Sequence, residues 1–169
     1  MFDRQKLITP FRILWSRIHS NRSNRKHRSI EPQEIMPLLL SVANSFKERW
    51  TTYVAEEYED GEEQLLYCDL AELAKHIASP ESSQNTQELK EIFAVVERIL
   101  ENGTYAASEA ITVGLLEDLW YYSGQLTDQQ TLFEKHFGIQ TRYWYSEVIR
   151  FWTGESEFIG QGPGNPRLI

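Results

Sequence analysis

The chain has 169 residues, of which 41% are hydrophobic and 12% aromatic, and a formal net charge of −8. That apolar content is enough for one core in a domain of about 125 residues and excludes wholesale disorder. The single cysteine, Cys68, excludes an internal disulfide and an all-cysteine metal site.

No run approaches the roughly 18 apolar residues of a membrane-spanning helix. The apolar residues near the start are interrupted by Arg12 and Arg17 with no small-residue cleavage site after them, so a cytoplasmic protein is expected. The charge is divided unevenly. Residues 1–30 carry eight Lys/Arg against Asp3, a net of +7, whereas residues 31–169 carry nine Lys/Arg against 24 Asp/Glu, a net of −15. An acidic body of this kind repels nucleic acid and attracts basic partners.

The first expected helix is capped by Thr9 with Pro10 at its first position, and Phe11, Leu14, Trp15 and Ile18 form its apolar stripe. Ser20–Ser29 contains no apolar residue and reads as a solvated basic linker, giving an arm over 1–29. Glu31-Pro32 opens a second helix, whose apolar rhythm runs from Ile35 to about Val54. Pro37 is expected to kink it or to delay its start.

Six of the eight residues from Glu56 to Glu63 are acidic, in an expected loop. A third helix follows over 64–78, with Leu66, Leu70, Leu73 and Ile77 on its core face and Cys68 expected to be buried at the edge. Asn85 and Glu88 have the spacing of a capping box, and Leu89, Ile92, Phe93, Val96, Ile99 and Leu100 form the widest apolar stripe, stopped at Gly103. A helix over 105–122 ends before Gly124. A short one is opened by Thr127 and Gln130 and reaches Phe137, and the last spans 141–152. Residues 154–169 hold four of the nine glycines and two prolines and read as a flexible tail. The expected architecture is a single-domain all-α bundle of six or seven helices over 30–153 between arm and tail.

Chemical motifs are sparse. No His/Cys spacing matches a zinc site, and there is no phosphate-binding glycine loop or serine elbow. Counting back from Gly61 places Tyr58 and Tyr67 where a calcium loop needs oxygen ligands, so that reading fails. His76 lies about 12 Å along the helix from Cys68, too far to activate it. Glu72 and His76 are i,i+4 neighbours, expected to pair at the surface, with a hydrolase or metal role requiring a shared pocket. No catalytic, metal-binding or cofactor-binding residue is assigned, and no cofactor is expected.

The segments Leu65-Leu66-Tyr67 to Leu73, Glu88 to Leu100, Gly114-Leu115-Leu116-Glu117-Asp118-Leu119 and Tyr143-Trp144 to Phe151-Trp152 occur in an order that resembles a bacterial family. Its members are small, acidic, all-helical proteins of unknown function, often encoded near polymorphic toxins and treated as candidate immunity proteins. The resemblance spans about 31–152, omits the arm and implies no active-site residues.

The reading is therefore a non-enzymatic protein-binding module, with an immunity-type inhibitor of a basic toxin as the form the resemblance implies. Its partner-binding residues are expected to be Glu56, Glu57, Glu59, Asp60, Glu62 and Glu63, with Tyr121 and Tyr122 as aromatic anchors. The alternative is a membrane-surface or nucleic-acid adaptor acting through residues 1–29.

Overall fold

The computed structural model describes residues 29–59, 62–124 and 130–162. The expected first helix, Asp60, Gly61 and the Thr127 cap lie outside the described residues.

Within them the fold is an all-α bundle. Helix α1 (Pro32–Leu40) leads through a 3-10 turn (Asn44–Phe46) to α2 (Lys47–Glu57). Helix α3 (Leu66–Ile77), a short α4 (Pro80–Ser83) and the long α5 (Thr86–Asn102) follow. Next comes one continuous helical rod made of α6 (Tyr105–Glu109), a π-helical stretch (Ala110–Leu116) and α7 (Glu117–Ser123). Helices α8 (Gln130–Glu134) and α9 (Ile139–Trp152) complete the order. Among the described residues the one extended pairing is an isolated bridge between Ile30 and Gly103, which ties the chain ahead of α1 to the end of α5.

The core forms where apolar stripes converge. Leu70, Leu73 and Ile77 of α3 meet Ile111, Leu115, Leu116 and Leu119 of the rod, while Leu89, Ile92, Phe93, Val96 and Ile99 of α5 pack against α9. Trp144 and Val148 of α9 are fully enclosed. Gly114 permits the closest approach: a Cβ there would lie 3.0 Å from Leu70 Cδ1 and 3.2 Å from Tyr67 Cδ1. At the far end of the same pair of helices the Lys75 ammonium lies 5.7 Å from the Tyr122 ring centroid, so α3 and the rod run in the same direction. A parallel pair needs a crossover, and α5 provides it.

Several expectations are corrected. The second helix is two helices: α1 starts at Pro32, passes through Pro37 and ends at Leu40, and Ala43 is non-helical at φ −83°, ψ 69°. The Asn85 cap forms, but Glu88 does not close the capping box. Its carboxylate instead accepts hydrogen bonds from Ser45 N (3.0 Å), Ser45 Oγ (2.8 Å) and Asn85 Nδ2 (2.7 Å). A long-range tie at the break has replaced a local one.

The glycine-rich segment is packed down at Ile159, Gly160 and Gly162, because the buried Glu147 accepts from Gly160 N (2.9 Å) and Gly162 N (2.7 Å) while holding Arg150 at 2.7 Å. Ile159 joins the core and Gly160, at φ +94°, rests on the Trp144 ring. The expected start of the last helix moves to Ile139. There Glu97 of α5 caps it, accepting from Gln140 N (2.7 Å), Thr141 N (2.9 Å) and Thr141 Oγ1 (2.7 Å), and a side chain at Gly138 would collide with that carboxylate. Among the described residues no helix is long and apolar enough to cross a membrane.

A candidate binding groove between α2 and α3

Helices α2 and α3 lie antiparallel and leave a solvent-open groove of about 780 Å³ between them. The two are joined across it by polar ties in descending register. Ser45 Oγ is 2.9 Å from His76 Nε2, Arg49 donates to Glu72 at 2.9 Å, and Tyr58 donates to Asp69 at 2.7 Å. The α3 wall is a second stripe at helical spacing, Cys68, Ala71, Glu72 and Lys75, rotated away from the core stripe of Leu70, Leu73 and Ile77. The α2 wall presents Glu48, Arg49, Thr52, Tyr53, Glu56 and Glu57.

This second stripe corrects the reading of Cys68. It is exposed, because residues two positions apart on a helix point to nearly opposite sides and the neighbouring Leu70 takes the core. The expected Glu72–His76 pair does not form either: Glu72 binds Arg49 and Lys75, and His76 turns to Ser45. Burial pushes the Glu72 carboxyl up, but the hydrogen bonds and charges of Lys75 and Arg49 outweigh it and hold its pKa below the ordinary carboxylate value. The hydrogen bond from Lys75 to Glu72 raises the pKa of the lysine in turn. Both cations of the groove are thus committed to one buried-side carboxylate.

At the open end the loop is pinned from beneath. Tyr58 OH receives Leu65 N at 3.0 Å, donates to Asp69, and lies 3.3 Å from Tyr53 OH. Asp69 is 2% exposed, and burial raises its pKa. Burial likewise raises the Tyr53 and Tyr58 phenols. Beside this network an aromatic ladder runs from His76 through Phe46 and Trp50 to Tyr53, with successive centroids 5.1, 5.9 and 5.7 Å apart.

The acidic residues singled out in the sequence gather at that end. Glu56, Glu57, Glu59, Glu62 and Glu63 are all exposed, and none forms an ion pair with a described residue. Asp60 lies outside the described residues. Tyr121 and Tyr122 sit on α7 toward the other end of α3; Tyr121 is 55% exposed, and Tyr122 is half-buried under Lys75. The structure therefore unites the glutamates but sets the two tyrosines apart from them. Sequence reasoning missed Ser45, Arg49, Tyr53 and Lys75 as groove residues; the Cys68-Ala71-Glu72-Lys75 stripe was the signal that could have found them. Among the described residues no group of three or more His, Cys, Asp or Glu side chains is placed to hold a metal ion.

Fold and groove define the class: a single-domain all-α bundle with a solvent-open polar groove between two antiparallel helices. The family model that matches the chain covers residues 36–153 and is described as Domain of unknown function (DUF7674), so the chain belongs to that family. No curated protein and no solved structure matches it. The matched span contains both walls of the groove and the acidic loop, and it leaves out the basic arm.

Proposed function

We propose that this chain is a non-enzymatic protein-binding module, acting in the cytoplasm, whose partner is a basic protein. The observation that carries the reading is the division of labour among the carboxylates. Glu72, Glu88, Glu97 and Glu147 are each occupied by internal donors, whereas the five described glutamates from Glu56 to Glu63 face solvent without an internal cation. Charges left unneutralised on one edge attract an oppositely charged protein and raise its association rate. A toxin with a positively charged, nucleic-acid-cleaving cleft is the partner favoured by the resemblance to candidate immunity proteins, and the 55% exposure of Tyr121 supports a second, separate contact for it.

The test is to pull the tagged chain from its native lysate at low salt, identify any basic protein captured, and titrate the purified pair by calorimetry at low and high salt. The expected complex weakens with salt, and the Glu56→Lys/Glu57→Lys variant weakens it by about 10- to 100-fold. Affinity unchanged by that variant, or absence of a complex, overturns the reading.

A further inference from the structure

We infer that the groove between α2 and α3 is the seat of this chain's own basic arm, through the segment Pro10–Ile18. The inference goes beyond the proposed partner and does not depend on it. The arm lies outside the described residues, and the case rests on the groove, on charge and on reach.

Two cations line the groove, Arg49 and Lys75, and Glu72 engages both, so the rim acids Glu48, Glu56 and Glu57 remain without a cation in the described structure. The arm brings eight Lys/Arg against one Asp. Arg12 and Arg17 flank the stripe Phe11, Leu14, Trp15 and Ile18, and the groove offers that stripe Tyr53, Ala71 and Cys68 beside the acidic α2 edge of Glu48, Glu56 and Glu57. Opposite charge aligns the segment, and burial of the stripe supplies the affinity.

Reach permits it. Ile30 is hydrogen-bonded to Asn102 at the end of α5 and Ser45 to Glu88 near its start, so the two anchor points are about 21 Å apart along α5. The twelve residues from Ile18 to Ile30 extend to about 40 Å. Tethering then gives the arm a local concentration in the millimolar range, so even a weak contact is populated.

Two measurements on the full chain test the inference. In the first, Lys6 is coupled to neighbouring carboxylates with a zero-length carbodiimide, using a mixture of isotopically light and heavy chains. Links from Lys6 to Glu48, Glu56 or Glu57 within one chain are expected. Links confined to other carboxylates, or formed only between light and heavy copies, overturn the inference. The second uses Cys68, the one cysteine, as a reporter inside the groove. At about 20 mM salt the wild type is expected to react with iodoacetamide about tenfold more slowly than the Arg12→Glu/Arg17→Glu variant, and the two rates converge at about 500 mM. Equal rates at low salt overturn it.

Discussion

Helix α5 buries seven apolar side chains, whereas α2, which carries two aromatic residues to the one of α5, buries none completely. The two are held by different physics. Phe93 of α5 is enclosed, its ring 4.8 Å from Phe137 and 6.2 Å from Phe133, so its attachment comes from removal of apolar surface from water. Helix α2 is held by the partly exposed aromatic ladder, by the tie of Arg49 to α3, and by the tie of Ser45 in the preceding turn to Glu88 of α5. Polar ties at a wet edge contribute less each than a buried ring does, so this edge opens locally at lower free energy than the core. The wall of the groove formed by α2 is therefore expected to yield before the core does.

The comparison is broken most directly by truncation. Phe93→Ala is expected to cost about 3–5 kcal/mol in urea denaturation, against about 1–2 kcal/mol for Trp50→Ala. Equal losses would mean that α2 is as firmly packed as α5. Next in size is Glu88→Ala, at about 1–3 kcal/mol, because Ser45 N and Oγ lose a charged acceptor. Hydrogen exchange should quicken over residues 44–57 in this variant and stay unchanged at the centre of α5; uniform quickening would join the two regions into one cooperative unit.

The smallest effect sharpens the contrast through pH. Asp69 has its pKa raised by burial above the ordinary 3.8, so the folded protein holds that proton more tightly than the unfolded chain does. Stability gained from it is present below the unfolded value and is lost as pH rises from about 3.8 through the folded value. Thermal melts of wild type and Asp69→Asn compared across that range should show the wild type losing ground to the variant as pH increases. The opposite slope would mean that the hydrogen bond from Tyr58, rather than burial, governs this carboxyl.

Much of the fold was legible in the chain. The stripe of α5 and its Asn85 cap gave its extent almost to the residue, and the Leu66–Ile77 face of α3 faces the core as its spacing required. The errors cluster where an amphipathic rule meets a second use of the same helix. Cys68 was assigned to the interior on the habits of cysteine, yet it falls on the stripe that faces the groove. Glu88 had the right spacing for a local cap and was claimed instead by Ser45, forty-three residues away. The exposed glutamates were legible as an acidic run, but their separation from Tyr121 and Tyr122 was not.

By itself the sequence determined the helical class, the main core stripes and the opposition of charge between arm and body. Each of these follows from local periodicity or from composition, which need no partner segment. Tertiary structure alone decided the break between α1 and α2, the capping of α9 by Glu97, the anchoring of Gly160 and Gly162 on Glu147, and the groove itself. In every one of these a carboxylate or an aromatic ring meets a group distant along the chain. A buried polar group takes whichever partner the packed helices bring within hydrogen-bond reach, and that proximity is not written in the local spacing.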